Sequence, residues 1–145
     1  MPSKKILTDK EQKSFLNNDW KTHRIVTFTY PEPPIHRKGT LLDRFVVYDG
    51  EYAEVVYWNL IDLIKFEHDR KENWLRITYY RYLKKKIVRT KKGKITNRRW
   101  IFAGQTSFSD PISKFEELFV KTIKEKEWIR PLFKSIIKQC NKELE

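Results

Sequence analysis

The chain has 145 residues, and its 31 Lys and Arg against 19 Asp and Glu give a formal charge of +12 at pH 7. A single Cys excludes an internal disulfide and a zinc site built from several cysteines. No apolar run reaches the length of a membrane span, which is about 20 residues. The high aromatic content and the four Gly predict one packed domain over residues 1–145, and the lone Cys makes the cytoplasm the expected compartment.

The first predicted element is a short helix over about residues 9–18, within an N-terminal extension of residues 1–21. Thr8 and Glu11 have the spacing of a capping box, in which each side chain binds the backbone amide of the other. From residue 22 onward, alternation of β-branched and aromatic side chains indicates strands. The predicted strands cover residues 25–30, 41–48, 53–58, 61–67, 74–82, 87–89 and 98–103. Asp49-Gly50 and Lys92-Gly93 are the predicted turns of the second and last hairpins.

Two helices are predicted at the C-terminal end. Asp110-Pro111 opens the first, whose apolar stripe is expected to close over the strands and complete a core of residues 22–130. A second apolar stripe between Leu132 and Cys140 predicts a terminal helix within residues 131–145. This terminal helix either packs on the domain or begins a stalk or partner-binding segment.

About seven antiparallel strands followed by an amphipathic helix resemble the pleckstrin-homology superfold. The sequence pattern of residues 39–119 is similar to that of its GRAM, GLUE and bacterial members. The motifs that carry the resemblance are Gly39-Thr40-Leu41-Leu42, Arg44-Phe45-Val46-Val47, Asp49-Gly50-Glu51, the run from Val56 to Ile64, Trp100-Ile101-Phe102 and Asp110-Pro111. Lys124-Glu125-Lys126-Glu127-Trp128 is similar to the basic, Trp-containing helix end of the GLUE domain of the ESCRT-II complex.

The resemblance implies an α+β fold, a pleckstrin-homology-like sandwich or barrel of about seven antiparallel strands closed by a C-terminal amphipathic helix. It also implies a recognition module for anionic lipid headgroups in ESCRT-type trafficking, with a protein partner such as ubiquitin. In GLUE-type members the anionic site involves later loops, where residues 84–99 lie. Peripheral association with membranes is the corresponding expectation for localisation.

The most charged part of the chain, here called the basic segment, is residues 81–99, which contain no Asp or Glu. Its apolar and aromatic residues indicate a folded hairpin rather than a disordered tail. The candidate anion-binding residues are Arg81, Lys84, Lys85, Lys86, Arg89, Lys91, Lys92, Lys94, Arg98 and Arg99. Such a surface attracts phosphate, whether in lipid headgroups or in nucleic acid.

Charge alone leaves several interpretations open. In the first, the basic segment binds anionic headgroups; in the second, it guides single-stranded nucleic acid while Tyr80 and Tyr82 stack on bases. The segment can also be a solvated face without a ligand. A fourth interpretation is a structural protein that assembles through residues 132–140.

No motif predicts catalysis or a cofactor. Lys92-Gly93-Lys94 lacks the first Gly of a phosphate-binding loop, and the three His lie in different predicted elements. His68 beside Glu67 and Asp69 is a polar strand end, because neighbouring strand residues alternate between faces. Cys140 lies on an apolar stripe and is expected to be a small core residue. The chain is therefore predicted not to be an enzyme and to bind no metal.

Overall fold

The computed structural model describes residues 5–31, 34–85, 88–89, 95–96, 99–103 and 110–144. These residues form α1 (Asp9–Thr22), β1 (Ile25–Pro31), β2 (Pro34–Tyr52), β3 (Val55–Phe66), β4 (Trp74–Leu83), β5 (Val88–Arg89), β6 (Ile95–Thr96), β7 (Trp100–Phe102), α2 (Ile112–Glu125), a 3-10 turn (Glu127–Ile129) and α3 (Arg130–Cys140). The chain divides into two compact units, Met1–Phe108 and Ser109–Glu145. The first unit holds α1 and every described strand, and the second holds α2, the 3-10 turn and α3.

The main sheet is open. In the described residues it has five antiparallel strands in the order β1-β2-β3-β4-β7, and β5 pairs only with β6 in a separate two-stranded ribbon. A closed barrel would require its first and last strands to pair, yet β1 and β7 occupy opposite edges. The prediction of a seven-stranded pleckstrin-homology-like sandwich or barrel is therefore wrong, although an α+β class remains compatible.

One cause of the error is the length of β2, which has 19 residues and runs through the predicted turn at Asp49-Gly50. The pairing of β2 with β3 shifts register between Tyr48 and Gly50, so this dipeptide forms a β-bulge. The chain turns later, at Ala53 and Glu54, which have φ values of 50° and 61°. Two successive residues of positive φ are typical of a tight hairpin turn whose twist matches that of the strands.

A second cause is the pairing at the end of the sheet. Residues 87–89 were expected to pair with residues 98–103, but β5 pairs with β6, and β7 pairs with β4. The expected pairing of residues 61–67 with residues 74–82 holds for residues 61–64, which pair with residues 74–77. The predicted strands 53–58 and 61–67 form one strand, β3, so the rest of β4 pairs with residues 55–60. Alternation therefore predicted strand positions better than strand partners.

Helix α1 begins at the predicted capping box. The Thr8 amide donates to Glu11 Oε1, and the Glu11 amide donates to Thr8 Oγ1, both at 3.2 Å. Leu16 of α1 lies in a buried cluster with Val46, Val56, Trp58, Leu60 and Tyr82 of the sheet. The fully buried Gln12 accepts a 2.8 Å hydrogen bond from Trp58 Nε1 and donates to the Leu7 carbonyl at 2.9 Å. One face of the sheet is thus closed by α1.

Three charged side chains cross this same face and are here called the buried ion row: Arg44 of β2, Asp62 of β3 and Arg76 of β4, paired side by side. Asp62 is completely buried. Its Oδ1 accepts from Arg44 Nε at 2.7 Å, and its Oδ2 accepts from Arg76 Nη2 at 2.8 Å. Burial lowers the pKa of Arg44, but its hydrogen bonds and charge interaction with Asp62 outweigh this and raise the pKa.

In the second unit, α2 begins at Ile112 with Pro111 as its N-cap, one residue later than expected for a cap at Asp110. The Phe119 and Phe133 rings meet edge to face at 5.3 Å and connect α2 with α3. Arg130 Nε donates to the Ile123 carbonyl at 2.8 Å, near the end of α2. Pro131 lies in the first turn of α3, where its missing amide costs no helical hydrogen bond.

Candidate anion-binding surface

The two ends of the basic segment are held together at the sheet. The Leu83 amide donates to the Arg99 carbonyl at 2.8 Å. Arg99 Nη1 donates to the carbonyls of Leu83 and Lys84, each at 2.9 Å. Between these ends, Val88 pairs with Thr96 and Arg89 with Ile95. The chain therefore leaves the sheet after Leu83 and returns to it at Arg99, next to the point where it left.

Arg99 holds these two ends together rather than contributing to a free cationic surface. Its side chain is only 8% exposed. The two N–H groups of its Nη1 satisfy two neighbouring carbonyls at once where a strand ends. The sequence gives no signal for this role, because Arg98 and Arg99 are adjacent and chemically alike.

Lys84 and Lys85 pair with the turn between β2 and β3. Lys84 Nζ lies 2.8 Å from Glu51 Oε1, and Lys85 Nζ lies 3.1 Å from Glu54 Oε2. The hydrogen bond that Lys84 donates to the Glu51 carboxylate raises the pKa of Lys84. The raised pKa favours the cationic form of Lys84, and the exposed ion pair of Lys85 with Glu54 is weakly held in water.

The two tyrosines predicted to stack on bases occupy packed positions. Tyr82 is 1% exposed, and its hydroxyl accepts a 2.8 Å hydrogen bond from the Leu7 amide. Tyr80 is half-buried, with its ring centroid 4.9 Å from that of Phe102 and 5.8 Å from the Arg44 guanidinium carbon. In this arrangement Tyr82 is a core residue, and Tyr80 supports the sheet face that carries the buried ion row.

An exposed aromatic side chain that the sequence did not single out lies at the turn that pairs with Lys84 and Lys85. Tyr52 is 79% exposed, at the turn that also provides Glu51 and Glu54. In the sequence, Tyr52 is an aromatic residue between two carboxylates. This pattern indicates an exposed side chain only once the hairpin turn is placed at residues 53 and 54.

The remaining candidate residues are only partly described. Arg81 is half-buried in β4 between Tyr57 of β3 and Ile101 of β7, and within the described structure its Nε has no hydrogen-bond partner. The backbone of Arg89 lies in β5. The side chains outside the described set are those of Lys86, Arg89, Lys91, Lys92, Lys94 and Arg98.

The electrostatic character of the basic segment follows from its composition. Residues 84–98 contain eight basic residues and no acidic one, while the neighbouring turn supplies the carboxylates of Glu51 and Glu54. A cluster of this kind raises the local concentration of anions. Among the described side chains, no group of three or more His, Cys, Asp or Glu is arranged to hold a metal ion.

No protein-family model, curated protein or solved structure matches this chain. A search of the described helices finds none whose length and apolarity suit a membrane span. Inferences about function must therefore come from the charges and contacts of the chain itself.

Proposed function

We propose that this protein is a non-enzymatic recognition module whose basic segment binds anionic lipid headgroups at a membrane surface. One observation carries the proposal: residues 84–98 contain eight basic residues and no acidic one, and Arg99 holds the two ends of this stretch together at the sheet. Each Lys or Arg near an anionic leaflet contributes about 1 kcal/mol, so several together support reversible binding.

Packing of the tyrosines favours headgroups over single-stranded nucleic acid. A nucleic-acid groove of the predicted kind needs exposed aromatic platforms, worth about 1–3 kcal/mol per stacked base. Tyr82 is buried, and Tyr80 is packed against Phe102. The exposed Tyr52 supplies one aromatic ring at the turn that pairs with Lys84 and Lys85, and such a ring suits the polar boundary of a bilayer. No described feature selects a protein partner such as ubiquitin, which stays a prediction.

The direct test is co-sedimentation of the full chain with vesicles at physiological salt. Three kinds of vesicle are compared: neutral phosphatidylcholine alone, and phosphatidylcholine with either phosphatidylserine or phosphoinositide at equal surface charge. The comparison separates charge attraction from recognition of a particular headgroup. A single-stranded oligonucleotide serves as competitor. We expect pelleting with both anionic vesicles, none with neutral ones, and resistance to the competitor. Displacement by the oligonucleotide, or no pelleting, would assign the basic segment to nucleic acid or to no ligand.

Charge-reversal variants locate the contact. Lys84→Glu/Lys85→Glu/Lys86→Glu should reduce vesicle partitioning at least about 100-fold, since loss of each lysine costs about fivefold. Lys91→Glu/Lys92→Glu/Lys94→Glu should act similarly while leaving the ion pairs to Glu51 and Glu54 in place. The control is Lys10→Glu/Lys13→Glu/Lys71→Glu, which changes the net charge equally at exposed positions outside the segment. An equal loss in all three variants would show dependence on net charge alone and refute this site.

A further inference from the structure

Helix α3 exposes a row of apolar side chains. Leu132, Ile136 and Cys140 recur at four-residue spacing and therefore share one face. Leu132 is 45% exposed, Ile136 is 43% exposed, and Cys140 is exposed as well. Ile137, at the margin of this face, is 58% exposed. No residue of α3 is buried, so a face of a kind that normally covers a core lies open to solvent.

The contact between α3 and α2 uses other atoms. Phe133 meets Phe119, and Arg130 donates hydrogen bonds to the carbonyls of Ile123 and Lys124. These contacts hold the first turn of α3 and leave the row Leu132, Ile136 and Cys140 exposed. The row is thus presented on an anchored helix rather than on a free end.

A second row along the same helix is cationic. Lys134 and Lys138 lie at four-residue spacing on α3 and continue the position of Arg130. Lys142 follows the end of the helix at the same spacing, and no Asp or Glu occurs from residue 130 to residue 142. The helix therefore has an apolar face and a basic face. This combination is typical of helices that lie in the plane of a membrane interface.

Two other occupants of the apolar row fit the charges less well. A second copy of α3 would bring like-charged rows next to one another, and α3 has no carboxylate for the interhelical ion pairs that flank a helical interface. An acidic soluble partner would match the charge but would have to supply a matching apolar surface. An anionic bilayer offers both at once, since long Lys and Arg side chains extend to headgroups while the apolar face lies among acyl chains.

We propose that α3 is an interfacial anchor that lies on an anionic bilayer, with Leu132, Ile136 and Cys140 facing the acyl chains. This adds to the proposed membrane binding a second contact on separate residues. Because the residues differ, failure of one contact is distinguishable from failure of the other.

The lone Cys allows a site-specific test. An environment-sensitive fluorophore on Cys140 of the full chain should shift to the blue and brighten with phosphatidylserine vesicles, and respond little to neutral ones. The matched control carries the label on the exposed polar side of α3, in the variant Ser135→Cys/Cys140→Ser, and should remain water-like. If the chain pellets with vesicles while both labels stay water-like or respond equally, α3 is not inserted by this face.

Paired substitutions give an independent readout. Leu132→Ser/Ile136→Ser should weaken partitioning into phosphatidylserine vesicles about tenfold or more, because two apolar side chains no longer enter the bilayer. Ile112→Ser/Val120→Ser removes two exposed apolar residues of α2 that flank Glu116 and should have little effect. An unchanged partition coefficient for the α3 variant would overturn the anchor.

Comparison with the basic-segment variants separates the two proposals. If vesicle binding is lost only when the charges of Lys91, Lys92 and Lys94 are reversed, the proposed function is retained and the anchor is refuted. If binding is lost only in Leu132→Ser/Ile136→Ser, the anchor is retained and the basic segment is not the binding site. A concentration-dependent mass in sedimentation velocity that this α3 variant abolishes, with vesicle binding unchanged, would assign the row to a second copy and refute the anchor.

Discussion

The buried ion row and the basic segment both contain more cations than carboxylates, but they hold them differently. In the row, two guanidiniums share the carboxylate of Asp62, and every ionic contact is between 2.7 and 3.2 Å. In the segment, Glu51 and Glu54 pair with two lysines of residues 84–98, a stretch that has eight basic residues. Buried charge requires close compensation, whereas water screens an excess at the surface. Charge in this molecule therefore specifies structure in one place and offers attraction to a ligand in the other.

The largest effect is expected from breaking the row. Asp62→Asn leaves two Arg side chains without their counter-ion in the sheet and should lower the free energy of unfolding by about 3–5 kcal/mol in urea denaturation. The apolar replacement Arg44→Met/Asp62→Leu/Arg76→Met should recover most of this loss, because no charge is then buried. A cost below about 1 kcal/mol for Asp62→Asn would contradict tight electrostatic coupling in the row.

A smaller effect is expected at the base of the basic segment. Arg99→Met removes a charged donor from the carbonyls of Leu83 and Lys84 and should cost about 1.5–3 kcal/mol in the same unfolding assay. Arg99→Lys should restore only part of the loss, since the compact ammonium is more strongly hydrated and costs more to bury than a guanidinium.

The matched control is Lys85→Met, in the same segment but exposed in its ion pair with Glu54. It should change stability much less than Arg99→Met. Equal costs for the two variants would remove the distinction between a structural Arg and the surface lysines.

The smallest effect concerns an exposed charge at the start of α1. Hydrogen bonds from the Thr8 amide and hydroxyl lower the pKa of Glu11, and Lys5 lowers it further. A carboxyl group whose pKa is lower in the folded state than in the unfolded chain stabilises the fold at pH values above the pKa of the unfolded chain. This contribution to the free energy of unfolding disappears as the pH falls through the lowered pKa. Wild type should exceed Glu11→Gln in stability at pH 7, and the two should converge in acid. A gap that persists in acid would show that the carboxylate charge is not its source.

Much of the fold follows from local patterns. Thr8 and Glu11 predicted α1, although the helix runs to Thr22 rather than to about residue 18. Alternation placed β4 and the residues of β3, although β3 was predicted as two strands, and the apolar stripes placed α2 and α3. The Asp49-Gly50 turn failed because the same dipeptide also suits a bulge, and only its partners across the sheet distinguish the two.

The candidate site was predictable in charge but not in arrangement. Composition located the basic segment and its lack of acidic residues. It did not reveal that Glu51 and Glu54 pair with Lys84 and Lys85, that Arg99 holds the two ends of the segment together, or that Tyr82 is buried. These contacts join residues far apart in the chain, and no spacing rule encodes them.

By itself, the sequence determined the three helices and most residues of β1, β3 and β4, where positive charge accumulates, and that α3 has an apolar and a basic row. Each of these depends on neighbours within one or two turns of helix or on alternation along one strand. Tertiary structure decided that the sheet is open, that Asp62 lies between two Arg side chains, and which cations serve the fold. These outcomes depend on which strands pair and on what α1 covers, because burial and hydrogen-bond partners are properties of the assembled chain.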